Sequence, residues 1–109
     1  MGRILWYCLY PEGVPMATEW TPSALKHGVT KHQALNAMTH AVACRLLKGL
    51  PGDDTRVFVG PANEFADGYL EVIVALHRRS GRLTVFHAME LTDYFRYLLT
   101  EGTNDEHSR

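Results

Sequence analysis

The chain has 109 residues, 46% of them apolar and 21% charged, the proportions of an ordinary globular protein of one domain with a core of its own. A formal net charge of −1 and a pI near 6.6 argue against a surface coated in positive charge for nucleic acid, while leaving room for a local basic patch. Cys8 and Cys44 are too few for a disulfide framework, so a reducing cytoplasm is the expected setting. No apolar run approaches the roughly 20 residues of a membrane span.

Residues 1–15, MGRILWYCLYPEGVP, hold three aromatics before a Pro/Gly stop. They read either as an edge strand or as an extension ahead of a second candidate start at Met16. Thr18 to Trp20 reads as a short first strand. Thr21 then serves as an N-cap with Pro22 at the first helical position, where its missing N–H costs nothing. Gly28, after Lys26 and His27, ends that short helix. Thr30 and Gln33 form a capping-box pattern that opens a second helix. Its apolar stripe is Ala34, Leu35, Met38, Ala41, Val42, Cys44 and Leu46, and it stops before the Pro/Gly loop of LKGLPGDD.

Arg56 to Val59 is the next strand, closed by Gly60-Pro61. Tyr69 to Met89, YLEVIVALHRRSGRLTVFHAM, reads as a β-hairpin whose turn is Ser80-Gly81. A two-residue turn there pairs Val72 with Met89, Val74 with His87 and Leu76 with Val85. His87 is then the one ionisable member of a face made of Leu70, Val72, Val74, Leu76, Leu83, Val85 and Met89. Glu71 faces Glu90 on the other side. From about Thr92, the spacing of Leu91, Tyr94, Phe95, Leu98 and Leu99 predicts a final helix, with Asp93 favourable in its first turn. Residues 101–109 read as a mobile polar tail. The class is α+β: two N-terminal helices, an antiparallel sheet of three or four strands and a C-terminal helix, in a single domain over 16–100.

Several side chains carry chemistry on this reading. His87 stands where a structural strand has an aliphatic residue, and imidazole suits proton transfer near neutral pH; a core histidine with both nitrogens satisfied is the plain alternative. Arg78, Arg79 and Arg82, with His77, make the best phosphate-binding patch in the chain, or else a charged turn that protects a sheet end. Tyr94 is able to donate a proton to a leaving oxygen, although Tyr94 and Phe95 also fit a helix core. Arg96 is the one arginine on the final helix. His32, Asn36 and His40 lie at four-residue steps. His32 and His40 are roughly 12 Å apart along a helix, too far for one metal ion at about 2 Å per bond. They read as a solvated face or a contact for a partner, and no metal or cofactor is expected.

Taken together, TEWTPSALKHGVTKHQAL, VFVGP, GYLEVIV and TVFHAM resemble the toxin components of bacterial toxin–antitoxin pairs of the BrnT type, over about Met16 to Leu99. The resemblance implies a RelE/ParE-like fold and a hetero-oligomeric complex with a cognate antitoxin protein. It also implies a metal-independent endoribonuclease that activates the 2′-OH of mRNA, free or on the ribosome, for attack on the adjacent phosphate. On that pattern His87, Lys26, His27 and Tyr94 are the catalytic candidates, with Lys26 offsetting phosphorane charge. Arg78, Arg79, Arg82 and Arg96 bind RNA, and Glu71, His32 and His40 meet the partner. Two departures stand out. Met89, Glu90 and Leu91 occupy the segment where better-known BrnT-type toxins carry an arginine, and the chain is slightly acidic where ribosome-directed relatives are basic. They leave a second reading open, a RelE-like binding or regulatory module that acts only through its partner. A gyrase-directed toxin is a third.

Overall fold

The capping signals act where the sequence places them. In the computed structural model, which describes residues 18–48 and 53–104, Thr21 Oγ1 accepts a hydrogen bond from the Ala24 amide at 3.3 Å and Pro22 opens helix α1, Pro22–Leu25. The chain turns at Gly28, whose φ of +82° suits a residue without a side chain. Thr30 Oγ1 accepts from the Gln33 amide at 3.1 Å while Gln33 Oε1 accepts from the Thr30 amide at 3.0 Å. This reciprocal pair opens α2, Lys31–Thr39.

Helix α2 is shorter than its apolar spacing predicts. It ends at Thr39, and the Val42 amide then donates to the Val59 carbonyl at 2.7 Å. Ala43–Leu47 becomes strand β2, so Ala41, Val42, Cys44 and Leu46 leave the helical stripe. A short apolar run fits both periods, and pairing with a neighbouring strand decides between them.

The sheet holds five strands: β1 Thr18–Trp20, β2, β3 Asp53–Gly60, β4 Leu70–His77 and β5 Arg82–Glu90, in the order β1-β5-β4-β3-β2. β1 runs parallel to β5 and every other pairing is antiparallel. The expected antiparallel sheet of three or four strands is therefore a mixed sheet of five. α1 and α2 cover one face, where Ala24, Ala34, Ala37 and Met38 pack with Phe58, Val72, Val74, Leu83 and Val85. Helix α3, Asp93–Asn104, covers the other, with Phe95 and Leu98 against Ala43, Val57 and Val59. Its backbone runs four residues into the stretch read as a polar tail. The edge strand or extension considered for residues 1–15, and the start at Met16, lie outside the described residues. α2 sits so close to β3 that a side chain at Gly60 would run into the Ala37 carbonyl. Asn36 Nδ2 donates to the Pro61 carbonyl at 3.0 Å and fastens the same spot.

The hairpin departs most from expectation. His77 pairs with Arg82, so the loop is Arg78 to Gly81, closed by the Gly81 amide on the His77 carbonyl at 2.7 Å and by a φ of +75° at Gly81. Leu76 pairs with Leu83 and Val74 with Val85, yet Ile73 pairs with His87 and Val72 with Ala88. Phe86 is the extra residue of a β-bulge. The bulge moves His87 from the side of Val72 and Val74 to that of Glu71 and Ile73. Ala88, fully buried, stands opposite Val72 on the face expected to hold the imidazole, and Val85 takes its expected place opposite Val74. Glu71 pairs with Met89 rather than Glu90.

Candidate functional site

Glu71 is the centre of the arrangement. Its side chain is only 3% exposed, and burial of a carboxylate is tolerated only with donors around it. Oε1 accepts from both the backbone amide and the hydroxyl of Thr92, each at 2.7 Å. Oε2 accepts from His87 Nε2 at 2.7 Å. A carboxylate oxygen accepts, so Nε2 of His87 is the donor in this bond and Nδ1 is the ring nitrogen turned away from Glu71. Thr92 stands at the start of α3, so one buried group fixes both the final helix and the orientation of the histidine.

The bulge also brings in a second imidazole. The Thr21 amide donates to the Val85 carbonyl at 3.1 Å, and Ser23 Oγ donates to the Phe86 carbonyl at 2.8 Å. These bonds fasten the start of α1 to β5. The turn that follows then sets the His27 ring 6.1 Å from the His87 ring, edge-on at 64°. His27 and its neighbour Lys26 are exposed and His87 is partly so. Two imidazoles, one oriented by a buried carboxylate, thus lie side by side and open to solvent, an arrangement whose chemistry suits proton transfer.

The other residues singled out from the sequence do not gather there. Arg78 and Arg79 are exposed at the hairpin loop, and Arg82 is held in an ion pair with Glu19. Arg82 is five residues along β5 from His87, roughly 16 Å at about 3.3 Å per residue. His77 is occupied: Nδ1 lies 3.3 Å from Asp53 Oδ1 and Nε2 lies 2.8 Å from Thr84 Oγ1, which in turn donates to Glu19 at 3.4 Å. Tyr94, 78% exposed, meets the edge of Phe95 at 4.8 Å and has no described contact with either histidine. Arg96 pairs with Asp93 at 3.0 Å and borders a cavity of about 630 Å³. His32 is exposed on α2 and His40 is exposed at its C-cap, with His40 Nδ1 3.2 Å from the Asn36 carbonyl. Glu71, read as a partner contact, is withdrawn from any partner by its burial. Among the described residues no helix is long and apolar enough to cross a membrane.

Sequence reasoning passed over Thr92 and Ser23. Threonine ahead of an aspartate at a helix start is a cap signal, but nothing local says that its hydroxyl meets Glu71. Compared with known proteins, the chain matches no family model, no curated protein and no solved structure.

Proposed function

We propose that this chain is an endoribonuclease and the toxin of a toxin–antitoxin pair, cutting mRNA through His87 and His27 without a metal ion. The observation that carries the reading is the pair itself, a histidine held through Nε2 by a buried carboxylate with a second imidazole 6.1 Å away. His87 Nδ1 takes the proton of a ribose 2′-OH as that oxygen attacks the adjacent phosphorus. His27, as imidazolium, gives a proton to the departing 5′ oxygen, the P–O5′ bond breaks, and a 2′,3′-cyclic phosphate remains. Lys26, next in the chain, offsets charge on the non-bridging oxygens. What supports a RelE/ParE-like arrangement is that two helices precede β2 and one follows β5, on a sheet that is antiparallel apart from β1.

The test is cleavage of a single-stranded RNA by the purified chain, against the same strand with one 2′-deoxy residue at the cut. His87→Gln keeps a donor for Glu71 but supplies no base, and it should slow cleavage about 10²–10⁴-fold. Growth arrest on induction should disappear with the same variant. Cleavage that persists in His87→Gln, or in the deoxy substrate, would overturn the proposal.

A second reading is favoured by the charges. Arg82 and Arg96 are both paired with carboxylates, and the exposed Arg78 and Arg79 lie at the hairpin loop, the other end of β5 from His87. A binding module acting only through its partner fits that distribution, and it forms the complex without cutting RNA at any enzyme concentration.

A further inference from the structure

His87 and His27 are placed for a second chemistry. His87 Nε2 is bonded to the buried Glu71 carboxylate at 2.7 Å, and the ring, with its side chain 27% exposed, turns Nδ1 away from that bond. A carboxylate behind one ring nitrogen is the usual backing of a histidine that ligates a metal through the other. It fixes the ring and raises its basicity. The neighbour is the exposed His27 ring, its centroid 6.1 Å away and its plane inclined at 64°.

Two imidazoles on one tetrahedral ion, each bound at about 2 Å through nitrogen, hold their centroids roughly 5–6 Å apart. His27 therefore needs a closing movement of about 1 Å or less and a turn of its own ring to share an ion with His87. It is able to make both. His27 lies in the turn between α1 and α2, and its ring makes no hydrogen bond among the described residues. The bonds of Thr21 and Ser23 to β5 keep the two rings neighbours despite their distance in the chain. His77, by contrast, has both nitrogens engaged, by Asp53 and Thr84.

Imidazole nitrogens suit zinc and similar divalent transition ions, whereas magnesium and calcium take oxygen ligands. Among the described residues no group of three or more His, Cys, Asp and Glu side chains can hold a metal. The remaining positions on an ion at this pair are therefore left to water. Such a site takes up and releases its ion, unlike the closed four-ligand sites that hold a fold together.

We infer that His27 and His87 take a zinc-class divalent ion between them, with His87 bound through Nδ1 while Nε2 stays on Glu71. The ion blocks the nitrogens that the proposed cleavage needs for proton transfer, so zinc switches the site off. The binding needs no RNA chemistry; the inhibition rests on the function proposed above.

The test is titration of the full chain, stripped by a chelator and then dialysed, with Zn²⁺ alone, followed by calorimetry and by the imidazole nitrogen signals in NMR. One ion should bind at the pair, shifting Nδ1 of His87 while Nε2 keeps its proton. Glu71→Gln, which leaves both ligands in place, should weaken binding about 10–100-fold, and His27→Gln or His87→Gln at least as much. His32→Gln with His40→Gln, which removes two exposed histidines outside the pair, should leave the affinity unchanged. Circular dichroism checks that each variant is folded. Unchanged affinity in His27→Gln, coordination of His87 through Nε2, or equal binding of Mg²⁺ would overturn the inference. RNA cleavage that stops on adding zinc and returns with a chelator supports both readings together. If the chain binds zinc at the pair but cuts no RNA without it, the metal site stands and the ribonuclease reading falls. If it cuts RNA and takes up no zinc at the pair, the metal site alone falls.

Discussion

Glu71 shows how one side chain ties stability to chemistry. It satisfies two donors of Thr92 and one of His87 from inside the protein, so its removal leaves buried groups without partners. Glu71→Gln keeps the shape but brings an amide N–H toward a donor on one side or the other. The expected cost is about 1–3 kcal/mol in chemical denaturation. Cleavage should also fall, because His87 loses the partner that orients its ring. A Glu71→Gln protein that cuts RNA at the wild-type rate would remove the carboxylate from the proposed mechanism. Gly60 makes a simpler case. Its place against the Ala37 carbonyl leaves no room for a methyl group, so Gly60→Ala should lower stability by about 1–3 kcal/mol or more, read as a shift in the denaturation midpoint.

At the scale of elements, the capping box of α2 and the bulge of β5 do different work. The box acts locally, and Thr30→Ala should cost about 1 kcal/mol without touching the histidines. Loss of cleavage in that variant would mean that α2 supports the site more directly than its contacts indicate. The bulge acts at a distance. One extra residue, Phe86, turns His87 toward Glu71 and presents the carbonyl that anchors Ser23, and with it the turn that holds His27. Helix α3 buries Phe95 and Leu98 and leaves Tyr94 and Tyr97 outside, where the Arg45 guanidinium lies 5.7 Å from the Tyr97 ring. The strand that replaced the end of α2 therefore also meets the final helix.

Across the whole molecule, the sheet is the common wall between two cores, and polar side chains cross it at the hairpin end. Asp53, His77, Thr84 and Glu19 link β3, β4, β5 and β1 in one chain of contacts. β1 pairs through only three residues, so these bonds are a sizeable part of what holds it. Thr84→Val keeps the shape and removes both bonds, and should lower stability by about 1–2 kcal/mol. Arg82→Ala breaks an ion pair whose arginine side chain is 52% exposed, and should change stability by less than about 1 kcal/mol and by still less at high salt. The comparison of the two melting curves tests whether β1 is held by the hydrogen-bonded chain or by surface charge.

Features that depend on neighbours in the chain were legible from the residues alone. Thr21-Pro22, Thr30 with Gln33, and the 3.6-residue spacing of Phe95 and Leu98 specify their helices because caps and helical stripes act within a turn or two. The oddity of His87 was legible for the same reason, as one imidazole in a β-branched strand. The rest was set by contacts between residues distant in the chain. The Ala-Val-Ala-Cys run satisfies helix and strand periods alike, and the edge of β3 chose the strand. The parallel pairing of β1 joins residues more than sixty positions apart, and no local signal encodes such a contact. The single-residue bulge at Phe86 reversed which face His87 occupies, because side chains alternate along a strand and one inserted residue exchanges the two sides. A register read from the turn alone set Glu71 and His87 apart; the folded sheet brings them to 2.7 Å.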